Sequence, residues 1–326
     1  MKRIGVLTSG GDAPGMNAAI RAVVRTALMN GMSVVGFKRG YNGMLMRSLS
    51  TSDDYIEMNA RSVSGIIHKG GTGLMTARCL DFHKLEVQKQ AVRNARALDI
   101  EGMVCIGGNG TFKGAEALNA LGLPTIGVPA TIDNDLAYTD FTIGFDTSVN
   151  TVLSAIGNIR DTSSSHGRTT IVEVMGRQCG DIALHAGLAG GAETILIPEK
   201  SYDLDDIVKK LQAGRDRGKR HSIIIKAEGV DISSEQLAAT LTERMEGAEV
   251  KVVILGYIQR GGSPTARDRI LASRTGVRCV ELIKEGVSNA AVGIKGDTVV
   301  DYPLAVALAM EKDSHLEYQR ICDILL

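Results

Sequence analysis

The chain has 326 residues, of which 44% are hydrophobic, and its 37 lysines and arginines balance its 37 aspartates and glutamates. This length supports one large or two medium domains, and the balanced charge argues against a nucleic-acid-binding surface. No apolar run approaches the ~20 residues of a membrane-spanning helix, and the opening MKRIGVLTSGG lacks the apolar core of a signal peptide. We therefore expect a cytoplasmic protein that binds neither nucleic acid nor membrane.

Short apolar runs that end in glycine or polar residues predict strands buried on both faces, at 4–7, 34–37, 103–106, 125–128, 171–174, 195–197, 223–225 and 252–255. Helix-like stretches lie between them, at 14–29, 87–98, 113–121, 204–213 and 235–245. This alternation predicts an α/β fold with doubly wound, mostly parallel sheets. Composition marks no boundary between domains.

Unusual sequence follows six of the eight predicted strands, reading TSGGDAPGMN, IGGNGT, PATIDND, EVMGRQCG, KAEG and GYIQRGG. Doubly wound sheets bind ligands at the carboxyl ends of their strands. The glycines, arginines and acids gathered there predict one large composite site.

Two glycine-rich segments each follow a strand and open a helix. In Gly10–Gly15 we expect Pro14 in the first helical turn, and in Gly107–Thr111 we expect Thr111 to cap the helix while the glycines expose amides to a phosphate. Neither segment matches G-x-x-x-x-G-K-[ST] or G-x-G-x-x-G. The alternative interpretation of the first segment is a tight strand-to-helix turn.

Asp133 and Asp135 follow the fourth predicted strand. If the segment is extended, both carboxylates face one side and suit a general base and a magnesium ligand in phosphoryl transfer. The alternative is an Asx-rich turn.

Arginines near the strand ends suit an anionic ligand, because their forked donors match phosphate oxygens; these are Arg160, Arg168, Arg177 and Arg260. Arg21 and Arg25 form a cationic stripe on the first helix, with a solvated helix face as the alternative. The five scattered cysteines predict reduced thiols. The histidines show no nucleophilic triad spacing.

TSGGDAPGMNAAIR, TIDND, IRDTSSSH, EVMGR-x-CGD and IQRGGSP-x-x-x-DRILASR together resemble the bacterial ATP-dependent 6-phosphofructokinases, from the first strand to roughly residue 300. The resemblance implies two Rossmann-like domains with the active site in the cleft between them. Residues 1–144 and 257–305 would bind nucleotide, and residues 145–256 and 306–326 would bind sugar phosphate. It also implies a homotetramer that converts ATP and fructose 6-phosphate to ADP and fructose 1,6-bisphosphate, the committed step of glycolysis.

The resemblance assigns roles residue by residue. Asp133 is the base that takes the proton of the sugar C1 hydroxyl, and the catalytic group also includes Thr131, Arg177 and Asp135. Residues matching the sugar-phosphate site are Thr131, Asp133, Arg168, Met175, Gly176, Arg177, Glu228, Lys251, Tyr257 and Arg260, with Arg168 and Lys251 supplied by a neighbouring subunit. Those matching the ATP site are Gly11, Arg78, Cys79, Gly108, Asn109, Gly110 and Thr111. Those matching an effector site between subunits, for ADP or phosphoenolpyruvate, are Arg21, Arg25, Arg160, Gly191, Glu193, Arg217, Lys219 and His221. Mg²⁺ is implied at Asp135 and, as a weaker ligand, at Asn109.

Several positions depart from the family pattern. Asn109 stands where most ATP-dependent members carry an aspartate that helps hold Mg²⁺. Lys251 and Tyr257 replace an arginine and a histidine. Ala60 and Gly65 fall where an arginine and an aspartate are expected in the effector region, which predicts weaker activation by ADP.

Two further positions bear on the phosphoryl donor. Pyrophosphate-dependent relatives carry an aspartate at the position of Gly110, which crowds the α-phosphate of a nucleotide. Ala130 stands where the ATP type carries glycine and the pyrophosphate type carries lysine. Gly110 and the uncharged Ala130 favour ATP as the donor.

The sequence is therefore compatible with two functions. The chain is either an active kinase or a catalytically weak, ligand-binding or regulatory paralogue. The substitutions at Asn109 and in the sugar site motivate the second. Retention of Thr131, Asp133, Asp135 and Arg177 favours the first.

Overall fold

The computed structural model describes residues 1–46, 53–313 and 315–325. Its strands, numbered in chain order from β1 to β11, are Arg3–Thr8, Ser33–Phe37, Tyr55–Met58, Gly102–Gly107, Thr125–Pro129, Thr169–Val174, Thr194–Leu196, Ser222–Ala227, Val250–Ile254, Ala290–Lys295 and Thr298–Pro303. Its helices, α1 to α11, are Met16–Met29, Tyr41–Met44, Leu85–Ala97, Asn109–Ala120, Phe145–His166, Asp181–Gly190, Leu204–Asp216, Ser234–Arg244, Ala266–Lys284, Leu304–Ala309 and Leu316–Leu325. Short 3₁₀ turns span Leu80–His83 and Gly256–Arg260.

The chain forms two compact units, each assembled from separate segments. The first unit contains Met1–Ile132, Leu136–Thr147 and Arg260–Lys312, and the second contains Asp133–Asp135, Ser148–Gln259 and Asp313–Leu326. The assignment of nucleotide to one domain and sugar phosphate to the other stays a prediction.

In the described part of the first unit, the strands form one sheet in the order β11-β10-β5-β4-β1-β2-β3. The central strands are parallel, whereas β3 and β11 run antiparallel to their neighbours at the edges. Strand β1 lies between β2 and β4, with Gly5 opposite both Val35 and Met103. Because the chain moves to one side after β1 and to the other after β4, the carboxyl ends of these two strands mark the switch point where such sheets bind ligands.

Helices cover this sheet through close, small-residue contacts. Helix α1 packs against α9, where an added Cβ at Gly276 would lie 2.7 Å from the Cβ of Ala22. On α4, the ring of Phe112 occupies space that a side chain at Gly127 on β5 would need. Phe112 also packs against Tyr138, with ring centroids 6.0 Å apart. The apolar runs of the sequence thus fill a core around β1, β4 and β5.

The second unit contains a parallel sheet in the order β7-β8-β6-β9. Strands β6 and β8 pair along their whole length, from Thr169 opposite Ser222 to Val174 opposite Ala227. Both strands therefore end at the same level, and the residues that follow Val174 and Ala227 emerge next to each other.

The predicted fold class is confirmed, and all eight predicted strands are present. Strands β3, β10 and β11 were missed. Strand β3 carries a single buried residue, Met58, and β11 carries none, so neither forms an apolar run. Helices α2, α5, α6, α9, α10 and α11 were also missed. No helix within the described ranges is long and apolar enough to cross a bilayer, and no disulfide joins the cysteines there.

Helix α1 begins at Met16, later than the predicted start at residue 14. Gly15 precedes it with φ 109°, a conformation that side chains disfavour. The prediction that Pro14 occupies the first helical turn is therefore wrong, because Pro14 lies in the turn before the helix.

Candidate active site

The two glycine-rich segments lie side by side at the ends of β1 and β4. The Ser9 amide donates to the Ile106 carbonyl at 3.0 Å, and the Thr111 hydroxyl donates to the Ser9 carbonyl at 3.0 Å. An added Cβ at Gly107 would overlap both the Ser9 carbonyl oxygen and the Thr111 hydroxyl. Only glycine at this position allows the two segments to approach so closely.

Helix α4 starts earlier than predicted, at Asn109, with Gly108 as its N-cap residue. Thr111 lies inside the first turn and bonds to Ser9, so the prediction that Thr111 caps the helix is wrong. The amides of the first turn still lie at the positive end of a helix, an arrangement that favours anions. An added Cβ at Gly110 would meet nothing within 4 Å, so space is open at that position.

Gly108 also lies next to the end of β5. An added Cβ there would be 3.6 Å from the Cβ of Thr131. The buried Thr131 is held through its carbonyl, which accepts from the Thr142 hydroxyl at 2.6 Å. Ala130 is also buried and forms an isolated parallel bridge with Ile143. Three successive strand ends therefore present polar or glycine-rich segments next to one another.

Arg260 reaches the first glycine segment, where its Nη1 donates to the Asp12 carbonyl at 3.2 Å. The Thr76 hydroxyl donates to the Gly10 carbonyl at 2.8 Å, which brings the segment leading to Arg78 to the same place. Arg78 is exposed, and Cys79 precedes the 3₁₀ turn Leu80–His83. Burial is the largest cause that raises the pKa of the Cys79 thiol.

Asp133, Asn134 and Asp135 follow β5 and belong to the second unit. Asn134 has φ 53°, so the extended conformation on which the sequence argument depended is wrong for this segment. Asparagine tolerates this left-handed conformation better than most side chains. Asp133 is buried, and the Asn134 amide donates to Asp181 Oδ2 at 2.8 Å.

The loop after β6 is shaped by the residue that follows β8. A single Glu228 oxygen accepts from the amides of Gly176 and Arg177, at 3.2 and 2.8 Å. Gly176 and Arg177 both have positive φ, 138° and 56°. The preceding amide, that of Met175, donates to the buried Gln259 side chain at 3.2 Å. The structure thus brings Met175, Gly176, Arg177 and Glu228 together, and their role around the sugar phosphate stays a prediction.

Arg168 and Lys251 converge on one acid, Glu249, at 2.8 and 3.0 Å. Hydrogen bonds from Arg168 and then Lys251 lower the pKa of Glu249 to about 2. Lys251 lies on the edge strand β9, and Arg168 immediately precedes β6, which pairs with β9. Tyr257 is exposed, in the 3₁₀ turn that follows.

Most of the residues matched to the effector site lie in the second unit. Arg160 donates to the carbonyls of Gly190 and Gly191. Buried Glu193 pairs with Lys219 and accepts from the Ile223 amide. Arg217 follows the last residue of α7, and His221 lies just before β8. In the first unit, Arg21 and Arg25 lie on α1 as predicted, and Ala60 and Gly65 are exposed.

No group of three histidine, cysteine, aspartate or glutamate side chains in the described ranges could hold a metal ion by itself. Mg²⁺ commonly keeps several waters and binds one or two carboxylates plus substrate phosphates. In this chain Asp135 could offer such an ion a carboxylate, and Asn109 could offer a neutral carbonyl oxygen.

Sequence reasoning missed several residues that organise these segments. Asp181, Gln259 and Glu249 supply acceptors to the loops, and Asp268 accepts from the amides of Gly144 and Thr147. Asp181 and Asp268 stood inside the segments CGD and DRILASR, so the motifs themselves carried a signal. Their partners are distant in sequence, so no spacing rule could identify them.

Parallel sheets whose strand ends carry amide-rich and arginine-rich segments define a class of α/β proteins that bind phosphorylated ligands. Residues 3–283 match the family model described as Phosphofructokinase. A protein of Alkaliphilus metalliredigens named ATP-dependent 6-phosphofructokinase is 54% identical over 325 residues, covering 100% of this chain and 99% of that protein. A protein of the same name from Clostridioides difficile gives the same identity and coverage. The chain belongs to the phosphofructokinase family.

Solved structures agree with this assignment. Phosphofructokinase from Saccharomyces cerevisiae superimposes with a TM-score of 0.88 and 35% identity, and the match covers 94% of this chain but 45% of the yeast chain. A pyrophosphate-dependent phosphofructokinase from Marinobacter aquaeolei gives a TM-score of 0.85 at 23% identity, covering 98% of this chain and 86% of that one. The second likeness supports the fold alone.

Proposed function

We propose that this chain transfers the γ-phosphoryl group of ATP to the C1 hydroxyl of fructose 6-phosphate, producing ADP and fructose 1,6-bisphosphate. The observation that carries this proposal is the 54% identity, over the full chain, with relatives named for that activity. The paralogue hypothesis gains no support from the comparisons, because relatives at this identity carry the name of the active enzyme.

The first unit would bind ATP at the ends of β1 and β4. Support comes from the adjoining glycine segments and from the exposed start of α4, where Gly108, Asn109 and Gly110 present backbone amides. Arg78 and Cys79 would complete this side, because Thr76 ties their segment to Gly10. Gly11 would lie beside the nucleotide on the same strand end, and a side chain there would displace Arg260.

The second unit would bind fructose 6-phosphate. The carboxylate of Glu228 accepts from two amides of the loop that contains Met175, Gly176 and Arg177 and so holds its conformation. The guanidinium of Arg177 suits the oxygens of either the transferred phosphoryl group or the phosphate of the sugar. Arg260, Tyr257, Arg168 and Lys251 are the candidates for the 6-phosphate, the last two acting on the site of a neighbouring subunit. That role requires Glu249 to share or release its two cations.

Asp133 would act as general base. It accepts the proton of the C1 hydroxyl as that oxygen bonds to the γ-phosphorus, and the bond from the γ-phosphorus to the bridging oxygen of ADP breaks. Water is largely excluded from Asp133, which is 3% exposed. Thr131, Arg177 and the amides of α4 would stabilise the charge that spreads over the transferred oxygens.

Mg²⁺, when bound with the nucleotide, would neutralise charge on the phosphate oxygens, and Asp135 and Asn109 are its candidate ligands in this chain. Asp135 can supply a charged oxygen, whereas Asn109 can supply only a neutral carbonyl. This difference predicts an enzyme that needs more Mg²⁺ than relatives with aspartate at the second position.

Regulation and assembly belong to the same proposal. The cluster of Arg160, Glu193 and Lys219 would help bind an anionic effector such as ADP or phosphoenolpyruvate at the contact between subunits of a homotetramer. Lys219 already pairs with Glu193, and Arg160 donates to the backbone carbonyl of Gly190. An effector phosphate would therefore compete with Glu193 for Lys219.

The deciding experiment is a coupled assay for fructose 1,6-bisphosphate with either ATP or pyrophosphate as the donor. Turnover with ATP and fructose 6-phosphate is the expected result, with no turnover from pyrophosphate. The open space at Gly110 gives the physical reason, because a nucleotide α-phosphate can be accommodated there. Binding of both ligands without product would support the paralogue instead.

A further inference from the structure

The resemblance assigns functional roles to Asp133 and Asp135, but it assigns none to Asn134, the residue between them. Asn134 is 0% exposed and adopts φ 53°. A residue in this conformation sets the directions in which both neighbouring side chains leave the backbone. Whatever holds Asn134 therefore also orients Asp133 and Asp135.

The side chain of Asn134 is held by Asp181. Its Nδ2 donates to Asp181 Oδ2 at 2.8 Å, and both residues are 0% exposed. A hydrogen bond from a buried donor to a carboxylate is stronger than one between neutral groups. Asp181 is the first residue of α6, whose next residues Ile182, Ala183 and Leu184 are buried in the core. The acceptor is thus mounted on a firmly packed element.

The C-terminal segment approaches the same carboxylate. His315 Nε2 lies 4.0 Å from Asp181 Oδ2. The His315 ring stacks on the Tyr318 ring, with centroids 5.3 Å apart. It also forms a T-shaped contact with the His185 ring, with centroids 5.4 Å apart. His185 in turn hydrogen-bonds the Asp181 carbonyl at 2.9 Å.

Helix α11 contacts other elements of the second unit, to which it belongs. The Gln319 amide donates to the Ile195 carbonyl at 2.8 Å, and Lys210 pairs with Asp323 at 2.7 Å. The position of His315 beside Asp181 is therefore determined by the fold, and the C-terminal helix contributes to the environment of the Asp181 carboxylate.

We infer that Asp181 is a positioning residue that orients the base Asp133 through Asn134, and that His315 supports Asp181 from the C-terminal segment. The inference rests on the proposed function, because it assumes that Asp133 is the base. Asp181 touches no reacting atom in this scheme. Its effect arises because displacing a catalytic group by ~1 Å costs about 10²-fold in rate.

The test compares variants of the full-length enzyme. Asn134→Gly keeps the left-handed backbone conformation available and removes the side chain that donates to Asp181, so kcat should fall about 10–100-fold while the KM for ATP stays within about twofold. Asp181→Ala should lower kcat by a similar factor and should also leave the KM for ATP nearly unchanged. Asp181→Asn keeps an acceptor oxygen and should restore most of the activity. His315→Phe keeps the stacked ring and removes the nitrogen that faces Asp181, so kcat should fall about twofold to fivefold, the range of a weak polar contact.

Glu235→Ala is the matched control, because Glu235 is an exposed acid in the first turn of α8 in the same unit. It should leave kcat unchanged. Wild-type kcat in both Asn134→Gly and Asp181→Ala would overturn the inference while leaving the proposed function intact. An Asp181→Asn variant with kcat as low as that of Asp181→Ala would also overturn the inference. Such a result would show that the oxygen accepting from Asn134 does not determine the rate.

Hydrogen exchange supplies a readout that needs no activity. Backbone amides of residues 132–136 should exchange at least about tenfold faster in Asp181→Ala than in wild type, since local opening depends on the contacts that hold the segment. Unchanged exchange would overturn the inference even in a protein that shows no kinase activity. Faster exchange together with an inactive wild-type enzyme would keep the Asn134–Asp181 contact and reject the proposed function.

Discussion

The guanidinium of Arg260 donates to the backbone carbonyl of Asp12 at 3.2 Å, across 248 positions of sequence. The contact depends on Gly11, because a Cβ at that residue would overlap the guanidinium. Two residues assigned to different ligands, Gly11 to ATP and Arg260 to the sugar phosphate, are therefore sterically coupled.

Gly11→Ala should therefore impair both ligands together. The displaced Arg260 should raise the KM for fructose 6-phosphate, and the added methyl should raise the KM for ATP, each about tenfold. Steady-state kinetics with each substrate varied measures this. Gly157→Ala is the control: its Cβ meets nothing within 4 Å, and alanine favours a helix interior such as α5. Equal kinetics for both variants would contradict the coupling.

Asp133→Ser should lower kcat by about 10²–10⁴-fold, the usual contribution of a general base. Fructose 6-phosphate binding, measured by calorimetry, should remain nearly intact because the other sugar-site residues are unchanged. Asp231→Ser, at an exposed residue of the second unit, serves as the control and should behave as wild type. Near wild-type turnover by Asp133→Ser would remove Asp133 from the role of base.

Asn109→Asp should lower the Mg²⁺ concentration required for activity and raise kcat. Asn109 is the first residue of α4, so an aspartate there would also be favoured by the helix dipole. Changes to the groups around a metal typically alter affinity or activity about 10–100-fold. The KM for fructose 6-phosphate should change little. Superimposable Mg²⁺ titrations of the two proteins would mean that Asn109 only shapes the turn.

Asp268 should make the stability of the fold depend on pH. Burial is the main cause that raises its pKa from 3.8 to about 6, despite hydrogen bonds from Thr147 and the Gly144 amide. The folded state then holds this proton more tightly than the unfolded chain does. The resulting stabilisation is complete below pH 3.8 and is lost as pH rises through about 6.

Denaturant unfolding of wild type and Asp268→Asn from pH 5 to pH 8 measures this effect. The free energy of unfolding of wild type, relative to the variant, should decrease by about 1 kcal/mol across that range and level off above pH 7. The comparison cancels the contributions of other titrating groups. A difference that stays constant, or that rises with pH, would show that the hydrogen bonds outweigh burial.

Lys226 and Glu173 should behave as a buried ion pair. Lys226 is 1% exposed, its Nζ lies 3.1 Å from Glu173 Oε2, and Ser234 donates to the same oxygen at 2.5 Å. Glu173→Leu should lower the free energy of unfolding by about 3 kcal/mol, because it leaves a buried lysine without its partner. The double variant Glu173→Leu/Lys226→Met should recover at least half of the loss. Equal stability of the single and double variants would contradict this.

The sequence predicted the strands well where apolar runs were continuous, because such runs are typical of strands covered on both faces. It predicted the helix starts less well. Thr111 illustrates why: a threonine after glycine suits a cap, but its hydroxyl bonds to Ser9 on another strand instead. Asn134 illustrates the same limit, since its left-handed conformation is matched to an acceptor on α6.

By itself, the sequence determined the α/β class, the family and the residue types available for phosphoryl transfer, because strand periodicity and short motifs are local properties of the chain. Tertiary structure decided which of those groups meet. Glu228 shapes the Gly176–Arg177 loop, Arg260 reaches Asp12, and Asp181 holds Asn134 only because β-strands distant in sequence end at the same sheet edge or a helix packs beside them. Such contacts depend on register and packing between elements, and no spacing along the chain encodes them directly.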